Sequence, residues 1–501
     1  MSPRVPKLLI GDLIRRHAGA APERVAASME GIELTYGELN AHANQIAIAL
    51  RDLGIGHGDR VVTWADTCLE VLPLFVATAK LGAVFAPLNA RLGIEEAAPI
   101  ARMARPTILI ADPERAQATA KLAREIGVSL VGSVGAAEAL PDVIRFVPSE
   151  LPPATVDITE LALEEYHPQV IFFTSGSTGA PKGVILSHRA NWLRTYQGVF
   201  LTEPERSVCM FPLFHMAAFT LSLAAWQTQG EITFVASATA EAILGAVEAR
   251  RANRLYCIPA IWNRILEVAS ERFDTSHLRF IDTGTSATPV ELIQALKKRF
   301  PKSVVRIYYG STETGSATAL LDEDVLRKPG SVGQPSPSVE LRIGEGGEIQ
   351  VRSPLMLDGY FENPEATAEA LRDGWYCSGD IGALDEEGYL SVVGRIKELI
   401  RTGGEAVAPA EVEAVLAAHP KIREVAVVGV PDPKWGEVVC AVVVPNGDVA
   451  LSLADVQKVS DAQLAGFKRP RRLEIVDALP RTAATGQVQR MLLVEQILAG
   501  S

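Results

Sequence analysis

A dense cluster of hydroxyl, glycine and lysine residues occupies positions 172–183, between two β-rich runs. It contains four Ser or Thr side chains, three glycines and Lys182. Glycines let backbone N–H groups approach phosphate oxygens, hydroxyls donate further hydrogen bonds, and a lysine adds positive charge. The G-x-x-x-x-G-K-[ST] spacing of a Walker A loop is absent. The cluster therefore predicts a phosphate-binding loop of another kind, with a flexible linker as the alternative.

The cluster resembles the phosphate-loop signature of the adenylate-forming superfamily, which contains acyl-CoA synthetases, aryl-CoA ligases, luciferases and peptide-synthetase adenylation domains. Further signatures of that family follow in order along nearly the whole chain. They are 309–313 (YGSTE), 374–380 (GWYCSGD), 394–398 (GRIKE) with 403–405 (GGE), and 480–487 (PRTAATGQ). Any one of them could arise by chance, whereas the ordered set is highly specific.

The resemblance implies a role for each matching residue. Glu313 is expected to hold Mg²⁺ together with Thr178, because a hard cation bound to phosphates needs oxygen ligands. Tyr309 is expected to stack on adenine, Asp380 to accept hydrogen bonds from the ribose hydroxyls, and Arg395 to donate to ribose or phosphate. The remaining expected nucleotide-site residues are Thr174, Ser175, Gly176, Ser177, Gly179, Lys182, Gly284, Thr285, Ser286, Tyr308, Gly310, Ser311 and Thr312.

The reaction that the resemblance implies has two steps. A carboxylate attacks the α-phosphate of ATP to give an acyl-adenylate and pyrophosphate, and CoA then displaces AMP. Lys397 lies at the family's hinge between a large domain, 1–396, and a small mobile domain, 397–501. Gly403 and Gly404 lie where the pantetheine arm of CoA must pass, which suits residues without a Cβ. ATP, Mg²⁺ and CoA are the expected cofactors.

Gln487 departs from the family pattern, which places a lysine directly after this glycine. Glutamine donates a hydrogen bond but cannot neutralise charge on the α-phosphate, and losing one such contact costs about 10²- to 10³-fold in rate. An engineered trap, which we favour, and a natural variant with weak adenylation are both open explanations. A further alternative is that Lys468 or Arg401 supplies the missing charge.

The segment 211–216 (FPLFHM) resembles the family's acyl-pocket mouth. It carries His215, which we assign with Thr178, Glu313 and Gln487 to the catalytic set; a core histidine is the alternative. No Asp is present here to bind an α-amino group. The apolar surroundings predict a fatty or aromatic acid, although Arg279 or Arg306 could pair with a dicarboxylate. One alternative function is delivery of the acyl group to a carrier protein or its release as adenylate. Another, suggested by Gln487, is a non-catalytic relative that binds a nucleotide or an acyl group.

The elements that position these residues follow from periodicity. Thr35 and Glu38 form a capping box before a helical pattern that stops at Gly54. Strand, helix and strand then follow at 60–64, 69–81 and 84–88, which predicts crossover units and a buried parallel sheet. Short strands with Gly- and Asp-rich turns begin near Val339. The fold class is therefore α/β: a large multi-layer N-terminal domain with parallel sheets and a small β subdomain, plus a small α+β C-terminal domain.

Composition excludes other classes. The chain has 501 residues, 48% of them hydrophobic, with a net charge of −12, which argues against sequence-independent binding of nucleic acid. Its five scattered cysteines favour free thiols and a cytoplasmic location. The uncharged stretch 207–230 contains Pro212 and His215 and is interpreted as a buried strand and helix rather than a membrane span. A homodimer is a further expectation.

Overall fold

The computed structural model describes residues 7–135, 140–158, 162–175, 181–196, 203–447, 450–481 and 487–499, with only the backbone at Ser175 and Ala462. The chain divides into two compact units. The first comprises Met1–Pro329, Pro335–Glu340 and Arg352–Tyr376, and the second comprises Gly330–Gln334, Leu341–Val351 and Cys377–Ser501. The second unit includes residues 377–396, which the sequence analysis assigns to the large domain. A hinge at Lys397 stays a prediction.

Helices are numbered in chain order. In the first unit they are α1 (Ile10–Ala20), α2 (Tyr36–Asp52), α3 (Val71–Leu81), α4 (Ile94–Ala104), α5 (Ala116–Ile126), α6 (His188–Thr195), α7 (Met216–Gln227), α8 (Ala240–Arg250), α9 (Pro259–Glu267), α10 (Val290–Arg299) and α11 (Pro364–Ala370). In the second unit they are α12 (Pro409–Ala417), α13 (Leu453–Gln463) and α14 (Arg490–Ala499).

Strands are numbered in the same way. They are β1 (Val25–Met29), β2 (Ile32–Thr35), β3 (Arg60–Trp64), β4 (Val84–Pro87), β5 (Ile108–Ala111), β6 (Leu130–Val134), β7 (Ile144–Phe146), β8 (Pro168–Ser175), β9 (Pro181–Ser187), β10 (Arg206–Cys209), β11 (Glu231–Phe234), β12 (Arg254–Tyr256), β13 (Phe280–Gly284), β14 (Val304–Ser311), β15 (Gly315–Leu320), β16 (Ser331–Pro335), β17 (Glu340–Ile343), β18 (Glu348–Arg352), β19 (Gly359–Tyr360), β20 (Leu371–Arg372), β21 (Trp375–Leu384), β22 (Leu390–Arg395), β23 (Ile400–Thr402), β24 (Glu405–Val407), β25 (Ile422–Asp432), β26 (Gly436–Pro445) and β27 (Arg472–Ile475).

Two mainly parallel sheets form the first unit. One has the order β15-β14-β13-β12-β10-β11-β1-β2, parallel from β14 to β1. The other has the order β19-β9-β8-β4-β3-β5-β6-β7, parallel from β8 to β7. Helices lie against the strands: α3 is buried over its whole length, as its largely apolar sequence requires, and its one charged residue, Lys80, pairs with Asp157 at 2.6 Å. The predicted crossover units are confirmed.

The capping box at the start of α2 is also confirmed. The Thr35 side chain accepts from the Glu38 N–H, and the Glu38 carboxylate accepts from the Thr35 N–H. The stretch 207–230 forms most of β10 and the largely buried α7, as predicted. In the parts of the chain that the structure describes, no helix combines the length and apolar character needed to cross a bilayer.

The strands of the second unit are ordered in two groups. One includes the β17-β18-β21-β22-β16 order, which is the predicted small β subdomain. The other has the order β24-β23-β26-β25, with β27 added parallel to β26. Residues of α12 and α13, among them Val412, Leu416 and Val456, pack on one face of this C-terminal sheet, and α14 packs on the other through Leu493 and Ile497. The C-terminal α+β texture expected from the sequence is therefore present.

Candidate functional site

The predicted site residues of the first sheet gather at one edge. Phe211 and His215 follow β10, Tyr256 ends β12, Gly284 ends β13, and Tyr308 lies near the end of β14. These four strands are parallel neighbours, so their carboxyl ends meet at the same side of the sheet. Ligands of open α/β sheets bind at this edge. Segments far apart in the sequence are thus brought together as a candidate acyl and nucleotide site.

Aromatic rings line this edge of the sheet. The Phe211 ring stacks on His215 with centroids 5.6 Å apart and lies 5.7 Å from the Tyr256 ring. Tyr256 in turn stacks on Tyr308 at 6.4 Å. Burial raises the pKa values of both tyrosines, so their hydroxyls stay protonated. The result is a row of flat, uncharged side chains.

His215 caps α7 and is uncharged near neutral pH. Its Nδ1 accepts from the Ala217 N–H at 3.2 Å, so in the neutral ring the proton lies on Nε2. Burial lowers the pKa of His215 to about 4. The structure therefore gives this residue a helix-capping role, and its catalytic assignment stays a prediction.

The segment 284–286, predicted to line adenine, is under backbone constraint. A Cβ on Gly284 would lie 2.4 Å from the Tyr308 carbonyl oxygen and 2.7 Å from the Tyr256 hydroxyl. Thr285 has a φ of +67°, which is rare for a β-branched residue. Such outliers persist only where the surrounding structure enforces them, and they concentrate at binding sites. This strain supports a functional assignment for Thr285 that its residue type alone did not suggest.

A buried ionic network lies beneath the ring row. The Arg306 guanidinium donates to both Asp282 oxygens, at 2.7 and 2.9 Å. Arg254 lies 3.1 Å from Glu205 and 3.4 Å from Asp282. Arg279, the other candidate for a dicarboxylate, donates to the carbonyls of Ser276 and Leu278, beside the amino end of β13. Arg306 is therefore committed to Asp282 rather than free for a second substrate carboxylate.

The phosphate-loop residues are described only at their flanks. Thr174 pairs with Lys182 across the β8–β9 hairpin, and Ser175 pairs with Pro181. Gly176, Ser177, Thr178 and Gly179 lie outside the described residues. Antiparallel pairing up to both ends of the segment brings Thr174 and Lys182 to the same end of the hairpin. The two strands that the sequence predicted on either side of the segment are thus present, and its role in binding phosphate stays a prediction.

Glu313 lies on a turn that is secured on both sides. Ser311 and Thr314 bond to each other, with the Ser311 N–H donating to the Thr314 hydroxyl and the Thr314 N–H to the Ser311 hydroxyl. Arg194, on α6, donates to the Thr312 carbonyl at 3.1 Å and to the Leu355 carbonyl at 2.5 Å. Burial lowers the pKa of Arg194 to about 10, which leaves it charged at neutral pH. The turn between β14 and β15 is consequently rigid.

Tyr360 joins this turn to the phosphate-loop hairpin. Its hydroxyl donates to Glu313 Oε1 at 3.2 Å, and the Lys182 ammonium lies 4.8 Å from the centroid of its ring. Neither Tyr360 nor Arg194 is predicted from the sequence. No local pattern could have identified them, because each acts through contacts between segments more than 45 residues apart.

The predicted ribose residues lie side by side in the second unit. Asp380 and Arg395 are register partners on β21 and β22, and Arg395 Nε donates to Asp380 Oδ1 at 3.0 Å. Lys397 follows in a short 3₁₀ turn. The pairing that places Asp380 and Arg395 together was not visible in the sequence, where fifteen positions separate them.

Gly403 and Gly404 form the turn between β23 and β24. Their φ angles are +60° and +89°, both in the left-handed region that favours glycine. A Cβ on Gly403 would lie 2.9 Å from the Trp435 ring. The backbone therefore needs glycine at these positions irrespective of a passing pantetheine arm.

Gln487 is exposed, next to the isolated bridge between Arg481 and Val488. Lys468 and Arg401, which were proposed to supply the charge of the family's lysine, differ in their surroundings. Lys468 donates to both oxygens of Glu411, at 2.6 and 2.7 Å, whereas Arg401 is exposed. Lys468 is thus already neutralised by a partner.

The chain is similar to known proteins along most of its length. A family model described as AMP-binding enzyme matches residues 14–361, and one described as AMP-binding enzyme C-terminal domain matches residues 411–485. A feruloyl-CoA synthase of an Amycolatopsis species is 35% identical, covering 95% of this chain and 97% of its own. An indoleacetate–CoA ligase of Aromatoleum aromaticum is 34% identical, covering 96% of each chain. The solved structure of a Mycobacterium tuberculosis fatty acyl CoA synthetase has a TM-score of 0.76 and 30% identity, covering 98% of this chain and 99% of its own.

Proposed function

The chain belongs to the AMP-binding enzyme family and is an acid–thiol ligase that uses ATP and CoA, and on that premise we propose that its acid is apolar, either aromatic or fatty. The observation that carries this proposal is the row of Phe211, His215, Tyr256 and Tyr308 at the carboxyl edge of the first sheet. Flat, uncharged side chains favour an apolar acid, and offset stacking between rings favours an aromatic one. The relatives named for feruloyl-CoA and indoleacetate support the aromatic choice.

The ionic network argues against a dicarboxylate. A second substrate carboxylate would need a free cation, and Arg306 is held by Asp282 in a bidentate pair. We therefore expect ferulate, indoleacetate and dodecanoate to support CoA-dependent AMP release at least tenfold faster than malonate does. Release that is fastest with malonate would overturn the proposal.

Glu313 is proposed to hold Mg²⁺ at the phosphates. Mg²⁺ binds through one or two carboxylates together with substrate phosphates and water. Among the residues that the structure describes, only one of the two Glu313 oxygens has a hydrogen-bond partner, the Tyr360 hydroxyl. The residues present therefore fit the cation, which would neutralise phosphate charge when bound. Thr174 and Lys182, which flank the predicted phosphate-loop segment, are proposed to bind the same phosphates, together with Ser175 and Thr178.

Glu313→Gln tests this assignment. We expect the Mg²⁺-dependent rate of pyrophosphate release to fall by about 10² or more, because the amide lacks the charge that the metal requires. The melting temperature should change little, since the turn is held by Arg194 and the Ser311–Thr314 pair. An unchanged rate across a Mg²⁺ titration would remove Glu313 from the site.

CoA is the proposed acceptor, and a carrier protein is the alternative. AMP release that depends on CoA supports the first, whereas accumulation of acyl-adenylate in its presence supports the second. The exposed Gln487 gives a third possibility, an adenylation-impaired enzyme. That possibility is tested by Gln487→Lys in the Discussion.

The hinge at Lys397 is proposed on the same family resemblance. Cleavage by a protease within 397–404 should be slowed by ATP with substrate. Cleavage that ligands leave unchanged would contradict the hinge. A homodimer and a cytoplasmic location also stay predictions, and gel filtration and cell fractionation test them.

A further inference from the structure

Two side chains of opposite charge, Lys182 and Glu313, both contact Tyr360. The Lys182 ammonium lies 4.8 Å from the Tyr360 ring centroid, and the Glu313 carboxylate accepts from the Tyr360 hydroxyl at 3.2 Å. Within the described parts of the chain, neither Lys182 nor Glu313 makes an ion pair. Lys182 on strand β9 and Glu313 on the 311–314 turn thus contact the same neutral aromatic side chain.

The fold fixes Tyr360 in this place. Tyr360 pairs with Val184 across β19 and β9, two residues beyond Lys182. Its N–H donates to the Thr367 hydroxyl at 2.9 Å, and its side chain is hydrogen-bonded to Tyr376. The residue is 7% exposed. Burial, reinforced by the Glu313 charge, raises the pKa of Tyr360, so its hydroxyl keeps its proton and donates.

We propose that Tyr360 is a positioning residue that keeps Lys182 and Glu313 apart, so that the cation stays available to phosphate and the carboxylate to a divalent metal. A direct Lys–Glu ion pair would neutralise both groups and occupy the oxygens and N–H donors that ligands need. The Tyr360 ring attracts the ammonium through its face. The hydroxyl holds one carboxylate oxygen, and the other has no hydrogen-bond partner in the described parts of the chain. This inference rests on the metal role proposed above for Glu313.

Two substitutions separate the two contacts. Tyr360→Phe keeps the ring face for Lys182 and removes the hydroxyl that holds Glu313, whereas Tyr360→Leu removes both. ATP binding measured by calorimetry in EDTA reports the Lys182 contact. The gain in affinity when Mg²⁺ is added reports Glu313.

Tyr360→Phe is expected to leave ATP affinity in EDTA unchanged and to reduce the Mg²⁺ gain by roughly tenfold, the scale of one hydrogen bond to a charged group. Tyr360→Leu is expected to weaken both. Tyr36→Phe is the matched control, because it too removes a buried tyrosine hydroxyl, one that donates to the Gly230 carbonyl at 2.7 Å. Tyr36 lies on α2, which contributes no proposed site residue. The control should lower stability and change neither affinity.

A double variant keeps the test valid even if Tyr360→Leu does not fold. If Tyr360 acts through Glu313, adding Tyr360→Phe to Glu313→Gln should cause no further loss of the Mg²⁺ gain. A full Mg²⁺ gain in Tyr360→Phe, together with its loss in Glu313→Gln, would refute the role of Tyr360 alone. A full gain in Glu313→Gln would refute the metal role of Glu313.

Discussion

The Asp282 network and the Tyr360 site treat opposite charges in contrasting ways, although both lie in the first unit. Asp282, Arg306, Arg254 and Glu205 neutralise one another in a buried cluster. Lys182 and Glu313 are separated by an aromatic ring instead. Charges that pair with each other attract a ligand only weakly. Charges that are held apart still attract one. The contrast distinguishes ionic groups that stabilise the fold from those available for chemistry.

Breaking the neutralised cluster should give the largest effect on stability. Asp282→Asn leaves the buried Arg306 without its counter-charge, and we expect a loss of about 3–5 kcal/mol in the free energy of unfolding. Urea denaturation measures it. Asp282→Asn combined with Arg306→Met should regain much of the loss, because no uncompensated charge then remains. A single variant as stable as the parent would show that the cluster is not a stabilising unit.

Histidine protonation gives a second test, since the half-buried His215 is uncharged near neutral pH. Its folded-state pKa of about 4 lies below the ordinary 6.5, so the unfolded chain binds more protons between these values. Stability should therefore decline as pH falls from 6.5 towards 4, by up to about 3 kcal/mol from this residue. His215→Asn retains a capping side chain and should flatten the profile in thermal melts. If the stability of the variant fell equally steeply with pH, groups other than His215 would cause the acid sensitivity.

Adding a positive charge to the second unit tests the same contrast between paired and available charges. Gln487→Lys should accelerate pyrophosphate formation by about 10²-fold, because adenylation brings two anions together and a cation between them favours the reactive geometry. CoA attack on a supplied acyl-adenylate should be nearly unchanged. Single-turnover measurement of each half-reaction checks both statements. Equal rates before and after the substitution would mean that another cation, such as the exposed Arg401, already serves.

The smallest expected effect concerns strain rather than charge. Thr285→Asn should stabilise the protein by roughly 1 kcal/mol, because Asn tolerates the left-handed region better than a β-branched residue does. Chemical denaturation measures the gain, and ATP affinity shows whether the strained threonine is needed for binding. A loss of stability would mean that the Thr285 side chain makes contacts worth more than its strain.

Much of the architecture could be predicted from periodicity. The α2 capping box, the β3–α3–β4 crossover and the buried β10–α7 stretch depend on local patterns of apolar and capping residues, and all three are present. The β-rich runs predicted on either side of the phosphate-loop segment are likewise present, as β8 and β9. Local pattern and long-range structure agree at these positions.

The contacts of the site could not be predicted in this way. Arg194 and Tyr360 act on the 311–314 turn from separate elements, and nothing in their own segments distinguishes them from surface residues. Arg306 was a candidate substrate ligand until its bidentate pair with Asp282 became visible. Such partnerships depend on sheet register, which sequence spacing leaves open.

The Gly403–Gly404 turn has a consequence for tracing how this family diverged. Backbone geometry and the Trp435 ring already exclude side chains at Gly403, and Gly404 has a left-handed φ, so mutation there is penalised at the folding step. A descendant that had lost the thiol-transfer step would still be under selection to keep both glycines. If both glycines persist in such a descendant, they show only that the turn was inherited. Loss of CoA use would first appear as substitutions at other positions.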